Sequence, residues 1–326
     1  MKTTPGKLRR RRLLREIRVE QPRTGKKTTI PYATIKGLKK GPTLTVTAGV
    51  HADEYDCIEA ARRLMRISPS KISGILRIIP VVNFSGFYER AETVCPIDQL
   101  EIFTAFPGHT GESISYNIAR TVMDMVLEGD YAIDLHSGEV NETVSNTVCW
   151  FTRVGNRDTD NISKNMAQAF RMKYILDAST IYVERKVWKG PVGTMLYEAS
   201  KKGVATIIAE AGGEGEIHET CVKALTDGVV NVMKQIGMIK GKVYSSKPLE
   251  LRDLTVIQSK WHGWFTRFKD PGTTVDKGVT LGEVRDLEGN LLGVVKSPFK
   301  GVVHISSRNP AVKKRSMLFA VARLKT

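Results

Sequence analysis

An apolar run that ends in a histidine is the feature that most limits how this chain can fold. Residues 43–59 read TLTVTAGVHADEYDCIE, in which Thr43–Val50 has the composition of a buried strand. The next segment, Asp53–Ile67, places apolar residues at helical spacing. His51 and Glu54 therefore lie where a strand gives way to a helix, and open α/β sheets gather ligand groups at the carboxyl ends of their strands.

The pair His51 and Glu54 predicts part of a metal site. An imidazole nitrogen and a carboxylate oxygen suit zinc, and a catalytic zinc needs a third protein ligand while keeping one position open for water. The candidate third ligand is His136, which follows the strand-like run Tyr131–Leu135. The chain has only six histidines, so two at strand ends favour a shared site. The structural alternative is that His51 ends a strand and Glu54 interacts with a helix dipole.

Strands and helices alternate through the first 240 residues, which predicts a mostly parallel, mixed sheet flanked by helices. Residues 84–112 show little periodicity and are predicted to form a long functional loop. The other predicted elements are the strands Ile75–Val82, Thr147–Thr152 and Val204–Ala209 and the helices Glu112–Glu128, Asp158–Lys173, Val192–Lys202 and Glu216–Ile239.

The pattern of apolar and polar residues changes beyond about Gly241, where it indicates short strands and turns and no helix. A chain of 326 residues is long enough for more than one domain. We therefore predict a catalytic α/β domain over residues 1–240 and a smaller all-β domain over residues 241–326.

The formal net charge of +16 allows attraction to nucleic acid, to an anionic membrane or to acidic small molecules. Basic residues scatter along the chain apart from one dense run, Lys7–Arg15, and no nucleic-acid recognition motif accompanies them. No apolar run reaches membrane-spanning length, and no secretory signal follows the basic run. The four cysteines form no CxxC pair. These features predict a cytoplasmic protein without a nucleic-acid or membrane partner.

Several separated motifs give a resemblance to a known family. GVHADE, IPVVN, the FPG triplet Phe106–Gly108, AIDLHSG and ATIIAEAGG occur in the order and context of the succinylglutamate desuccinylase and aspartoacylase family, a branch of the zinc carboxypeptidase superfamily. The resemblance covers nearly the whole chain and implies a zinc-carboxypeptidase-like fold for the α/β domain. From Lys260 onward the sequence is similar to the barrel-sandwich domain of biotinyl and lipoyl type.

The resemblance also implies roles for single residues. The zinc ligands of the family fall on His51, Glu54 and His136, which implies one Zn²⁺ per chain, and its catalytic glutamate falls on Glu210. Glu210 would take a proton from the attacking water and pass it to the leaving amine. The alternative for Glu210 is a strand-end carboxylate paired with a basic residue. Asp134, two residues before His136, is either a partner of that histidine or purely structural.

One departure from the family concerns the substrate. The family carries Asn-Leu-Asn-Arg before the FPG triplet, whereas this chain has Glu101–Thr104 there. Phe103 and Thr104 supply neither the guanidinium nor the amide that polarises the scissile carbonyl and binds a substrate carboxylate. Arg90 matches a preceding arginine of the family and is the candidate catalytic and anion-binding residue. Asn83, at the end of a predicted strand, is a second candidate for substrate binding.

Three hypotheses follow for the function. The first is a zinc-dependent hydrolase that cleaves an amide bond in a small N-acylated amino acid or a related compound, which we expect to be anionic. The second is a metal-bearing family member that has lost or changed its catalysis and binds a ligand. The third, a nucleic-acid-associated protein, ranks last. The acyl group, the amine and the question of a homo-oligomer stay open.

Overall fold

The structure is a computed structural model. It describes residues 12–20, 24–91, 93–181, 191–244 and 247–325. Residues 7–11 of the basic run lie outside these ranges. The described residues confirm the predicted α/β class, with a large mixed sheet, helices packed against it and a β-rich C-terminal part.

The described residues form 18 strands, five of which correspond to the strands predicted individually from the sequence. They are β1 (Arg12–Glu20), β2 (Lys27–Lys36), β3 (Lys39–Ala48), β4 (Ser73–Ile79), β5 (Tyr131–His136), β6 (Glu142–Val144), β7 (Val148–Phe151), β8 (Tyr174–Asp177), β9 (Ala205–Glu210), β10 (Gly212–Gly213), β11 (Leu249–Gln258), β12 (Gly263–Arg267), β13 (Thr274–Val275), β14 (Thr280–Arg285), β15 (Leu291–Lys296), β16 (Gly301–Ser307), β17 (Ala311–Val312) and β18 (Met317–Leu324).

The helices lie between the strands of the first 240 residues. They are α1 (Tyr55–Leu64), α2 (Phe84–Glu89), α3 (Ile114–Leu127), α4 (Arg157–Ala169), α5 (Met195–Lys201) and α6 (Glu219–Gln235), with single 3₁₀ turns at Pro69–Lys71 and Ala178–Thr180. Among the described residues, no helix combines the length and the apolar character that crossing a membrane requires.

The centre of the main sheet is parallel. Strands β4, β3, β5 and β9 lie side by side in that order and run in the same direction. Strand β7 then joins β9 in the antiparallel direction, and β8 continues parallel to β7. Alternate residues of the central strands face two separate cores, since Ile133 and Leu135 pack with α1, α4 and α6, while Ala132 packs with α3 and α5. Both faces of the sheet are therefore covered, as buried parallel strands require.

The predicted loop over residues 84–112 is partly wrong, because it begins with helix α2. Asn83 caps this helix, its side-chain oxygen accepting a hydrogen bond from the Gly86 amide at 3.1 Å. Six residues are too few to show a helical period in the sequence, which explains why the helix was missed. The other predicted helices and strands occur, with ends displaced by a few residues.

After Gly241 every described element is a strand. Strand β11 pairs in parallel with β8, and β18, β16 and then β6 extend the main sheet in antiparallel pairs. Strands β15, β14, β12 and β17 form a second sheet of four strands, packed around apolar side chains that include Phe265, Leu281 and Phe319. The division into domains at residue 241 stays a prediction.

Candidate metal centre

Three neighbouring parallel strands end at one edge of the sheet, and each brings a predicted site residue there. His136 ends β5 and pairs in register with Glu210, which ends β9. On the other side of β5, Ala48 of β3 pairs with Leu135, so His51 follows just beyond the end of β3. The sheet therefore gathers His51, His136 and Glu210 at its carboxyl edge, as the strand patterns predicted.

The turn after β3 depends on Gly49. Its φ of +62° lies in the left-handed region, and a Cβ there would come within 3.1 Å of both Ile58 and the backbone of Val81. Glycine is the residue that adopts this conformation without a steric penalty. Glu54, five residues after Gly49, is the N-cap residue of α1, and its carboxylate makes no capping bond but faces His51.

The histidines and the glutamate converge through the atoms that a metal would use. His51 Nδ1 lies 2.8 Å from Glu54 Oε1, and His136 Nδ1 lies 3.1 Å from Glu54 Oε2. One ligand atom from each of the three residues lies within 4.8 Å of the other two. Two imidazole nitrogens and a carboxylate are a donor set that zinc accepts, and three protein ligands leave a coordination position open. The residues therefore fit the metal that the sequence predicted.

In the metal-free site the carboxylate of Glu54 and the two imidazoles stabilise one another's charged forms, and this effect exceeds the cost of burying them. Burial raises the pKa of Glu54, but the imidazoles of His136 and His51 outweigh it and lower that pKa to about 2. Burial lowers the pKa of His136, while Glu54 and Asp134 raise it to about 10. The pKa of His51 is raised well above its ordinary value, because Glu54 and Glu101 outweigh burial. The carboxylates thus hold positive charge at the point where a metal cation would lie.

Asp134 fixes the orientation of His136 by contacting the ring nitrogen that faces away from Glu54. Its Oδ2 lies 3.1 Å from His136 Nε2, and its Oδ1 accepts a hydrogen bond of 2.5 Å from Thr47 Oγ1. All three side chains are buried. A carboxylate at Nε2 favours the tautomer with its proton on that nitrogen, which leaves the Nδ1 lone pair for a metal.

The opposite wall of the site is aromatic. The ring of Phe103 lies 5.5 Å from the ring of His51 and 5.2 Å from the ring of His136, measured between centroids. Glu101 Oε1 lies 3.7 Å from His51 Nε2, and Glu101 Oε2 accepts a hydrogen bond of 3.3 Å from Thr104 Oγ1. The segment that departs from the family pattern therefore lies in the site and presents a carboxylate and an apolar ring to it.

A cavity of about 290 Å³ adjoins the three residues. Glu210 lines it together with His51, Glu54 and His136, so the predicted base and the predicted ligands share one space. The C-terminal strands form part of the wall, to which they contribute Leu254, Val256, Ile305 and Met317.

Two predicted substrate residues lie elsewhere. Arg90 ends helix α2 in the left-handed conformation, with φ of +54°, and its side chain is exposed and outside the cavity lining. Asn83 is buried, and its side chain bonds to the Gly86 amide and the Val94 carbonyl. Their roles in substrate binding stay predictions.

The sequence reasoning missed polar residues at the cavity and behind it, among them Glu139, Glu142 and His304. Burial raises the pKa of Glu139 to about 7, and burial together with the neighbouring Glu139 raises that of Glu142 to about 8. His304 of β16 is fully buried and lies 3.0 Å from Glu210. The signal for His304 was a histidine between the apolar residues Val303 and Ile305, whereas Glu139 lies in the segment between β5 and β6 and Glu142 begins the short strand β6, where the sequence shows no periodicity.

The fold and the site together define an α/β protein with a candidate metal centre at the carboxyl ends of its central strands. A model of the succinylglutamate desuccinylase/aspartoacylase catalytic domain matches residues 40–236, which is more than half of the chain. The protein therefore belongs to the succinylglutamate desuccinylase/aspartoacylase family.

A characterised relative is the N-alpha-acetyl-L-2,4-diaminobutyric acid deacetylase of Halomonas elongata. It is 25% identical to this chain over 272 residues, which are 79% of this chain and 74% of the relative. Its name and that of the family both refer to removal of an acyl group.

Solved structures share the fold over nearly the whole chain. The product-bound ectoine utilization protein EutE (DoeB) of Ruegeria pomeroyi superposes with a TM-score of 0.83 at 22% identity and covers 96% of this chain and 95% of its own. A succinylglutamate desuccinylase/aspartoacylase of Rhodobacter sphaeroides gives 0.82 at 20% identity, covering 97% and 96%. At these identities the likeness concerns the fold alone.

Proposed function

We propose that this protein is a zinc-dependent hydrolase that cleaves an amide bond in a small N-acylated amino acid or a related compound. The observation that carries the proposal is the convergence of His51 Nδ1, His136 Nδ1 and the Glu54 carboxylate beside a cavity that Glu210 also lines. Membership of a deacylase family and the deacetylase relative support amide hydrolysis.

In this proposal His51, Glu54 and His136 hold one zinc ion. When bound, zinc polarises a carbonyl oxygen and makes a coordinated water acidic enough to react near neutral pH. Asp134 keeps the Nδ1 atom of His136 available for the metal by accepting a hydrogen bond from Nε2–H. The buried position of the site limits competition from bulk water.

Glu210 acts as the general base. Two observations support this role: Glu210 ends β9 in register with His136, and it lines the same cavity as the three proposed ligands. It takes a proton from the attacking water and delivers it to the amine that leaves, since one carboxylate within reach of both can serve in turn as base and acid.

The test is turnover by zinc-loaded protein on a panel of N-acetylated amino acids, measured as release of the free amine. Glu210→Gln should lower kcat by at least about a hundredfold, within the range for loss of general acid–base catalysis. Glu16→Gln makes the same chemical change at an exposed site on β1 and should leave kcat unchanged. Equal turnover by the Glu210→Gln variant would contradict the assignment of the base.

A second candidate function is ligand binding without turnover. The observation that favours it is the Phe103 ring against both histidines, where the family has an amide and a guanidinium nearby. Saturable binding of an acylated amino acid to zinc-loaded protein, without release of any amine across the panel, would select this candidate over the hydrolase.

A further inference from the structure

One wall of the cavity is apolar and comes mostly from the C-terminal strands. Four apolar residues pair in register across four neighbouring strands and form a row, which we call the apolar row. Its members are Val144 of β6, Ile305 of β16, Ala320 of β18 and Val256 of β11. Directly paired residues on adjacent strands point to the same face of a sheet, and all four line the cavity. The apolar row is therefore one continuous surface that faces the space beside the candidate metal centre.

The apolar row is lowest in its middle. Ala320 carries a single methyl group, whereas Ile305 and Val256 on its two sides carry branched side chains. Leu254 of β11 and Met317 of β18 also line the cavity, so the apolar surface extends beyond the row. A depression bordered by longer apolar side chains accommodates an alkyl chain, and covering it with such a chain removes apolar surface from water on both sides.

An acidic side chain fits this wall poorly. Glu142 begins β6 two residues before Val144, and Glu210 lines the same cavity. Of the described residues that line the cavity, none is a lysine or an arginine. A further carboxylate against the apolar row would therefore lie near two glutamates without a basic partner among these residues, which disfavours its charged form.

Glu210 indicates which half of the substrate meets the apolar row. Its Oε2 lies 3.0 Å from Nε2 of His304, the residue that precedes Ile305 in β16. The same nitrogen accepts a hydrogen bond from the indole N–H of Trp150, which also lines the cavity. As the proposed base, Glu210 passes a proton to the leaving nitrogen, so that nitrogen must come within hydrogen-bond distance of it. The amine half of the substrate then lies on the side of the C-terminal strands.

We propose that the depression over Ala320 binds the side chain of the amine product and that this side chain is aliphatic. The substrate class is then an N-acylated amino acid with an alkyl side chain. Its α-carboxylate keeps the substrate anionic, as the sequence led us to expect, while the part against the apolar row is uncharged. This inference rests on the proposed function, and it makes Val256, Ile305 and Ala320 determinants of specificity.

The first test compares Nα-acetyl-L-norleucine with Nα-acetyl-L-alanine as substrates of the zinc-loaded protein. The norleucine side chain is longer only by methylene groups. Burying these groups against the apolar row predicts a kcat/KM about tenfold to a hundredfold higher for the norleucine compound. Nα-acetyl-L-aspartate, which places a carboxylate against the same wall, should be a poorer substrate than the norleucine compound.

A variant of the apolar row tests whether this wall causes the preference. Val256→Thr keeps the shape of the side chain but adds a hydroxyl group, and it should reduce the ratio of kcat/KM for norleucine over alanine about threefold to tenfold. Val294→Thr makes the same change at an exposed position of β15 outside the cavity lining and should leave the ratio unchanged. Because both rates come from one protein sample, a loss of folded protein in a variant does not alter the ratio.

A second readout separates the binding of the side chain from the reaction. Calorimetry with the free amino acids L-norleucine and L-alanine requires no turnover, and norleucine should bind about tenfold more tightly or better. Val256→Thr should narrow this difference. If binding shows the difference but no acylated compound is cleaved, the proposed function fails and the binding site for the side chain stands. Cleavage of both compounds with equal binding would have the opposite meaning.

Three results would overturn the inference. The first is equal kcat/KM for the norleucine and alanine compounds. The second is a preference for Nα-acetyl-L-aspartate over the norleucine compound, which would show that the wall accepts a carboxylate. The third is a higher kcat/KM for N-hexanoyl-L-alanine than for Nα-acetyl-L-alanine that Val256→Thr removes, which would place the acyl half of the substrate against the apolar row.

Discussion

His304 Nε2 lies 3.0 Å from Glu210 Oε2, which joins a strand of the C-terminal part to the carboxylate at the end of β9. The same nitrogen accepts a hydrogen bond of 3.2 Å from the indole N–H of Trp150. An indole N–H can only donate, so Nε2 is an acceptor in the neutral ring. The contact with Glu210 is then a hydrogen bond when Glu210 carries a proton, as it does after taking one from water.

The first prediction concerns this histidine as a positioning residue for Glu210. His304→Phe removes the contact with the Glu210 carboxyl group, and loss of this hydrogen bond should lower kcat about fivefold to tenfold. His304→Gln keeps a side-chain acceptor and should restore most of kcat. Unchanged kcat in His304→Phe would show that His304 does not position Glu210.

The second prediction separates the ligands from the base. His136→Ala should lose stoichiometric zinc in elemental analysis of purified protein, because two remaining ligands cannot hold a tightly bound zinc. Glu210→Ala should keep its zinc, and so should His262→Ala, which removes an exposed histidine. Full occupancy in His136→Ala, or loss of zinc in Glu210→Ala, would contradict the assignments.

The third prediction concerns Asp134. An amide in its place still accepts a hydrogen bond from His136 but carries no charge, so Asp134→Asn should weaken zinc binding about tenfold to a hundredfold in a chelator competition. Thr47→Val removes only the hydroxyl that bonds to Asp134 and should have a smaller effect. Unchanged affinity in Asp134→Asn would assign this aspartate a purely structural role.

The fourth prediction tests Arg90, which lies at an exposed helix end. If it anchors a substrate carboxylate, Arg90→Ala and Arg90→Gly should raise KM for carboxylate-bearing substrates, while Arg90→Lys retains much of the effect of the charge. The glycine variant matters because the φ of +54° favours glycine and removes backbone strain as a cause. Unchanged KM in Arg90→Gly would remove this residue from the site.

The fifth prediction concerns the stability of the metal-free protein. The pKa of His136 is raised from 6.5 to about 10, so its contribution is complete below pH 6.5 and is lost as the pH rises toward 10. The pKa of Glu54 is lowered from 4.5 to about 2, so its contribution is lost only as the pH falls below 4.5 toward 2. In chelator, Tm should therefore fall between about pH 6.5 and about pH 10.

Two comparisons check this pH dependence. His136→Ala should flatten the fall in Tm, because it removes the group that titrates. The Tm of zinc-loaded protein should instead fall as the pH becomes acidic, because protons compete with the metal for the imidazoles. A Tm in chelator that rises over the same interval would contradict the charge relationship between Glu54 and His136.

The sequence predicted the residues at strand ends well, because strand patterns and topology bring such residues together. His136 and Glu210 end β5 and β9, and His51 follows the end of β3, so their approach follows from the pairing of these three adjacent parallel strands. The contact of His304 with Glu210 could not be predicted, because the two residues are 94 positions apart. They meet because β16 pairs with β6 in the main sheet, and no local sequence pattern indicates that pairing. Arg90 was assigned to the site because of its position in the order of the family motifs. That order does not determine the direction of its side chain, which is exposed.

The pairing of the C-terminal strands has a consequence for how the molecule avoids association with its own copies. Strand β8 is covered on one side by β11, and β6 is covered on one side by β16. A chain shortened before Leu249 would expose two lengths of backbone with unpaired amides and carbonyls, and such edges recruit strands from neighbouring chains. The C-terminal strands therefore protect β8 and β6 from pairing with strands of other chains, in addition to lining the cavity.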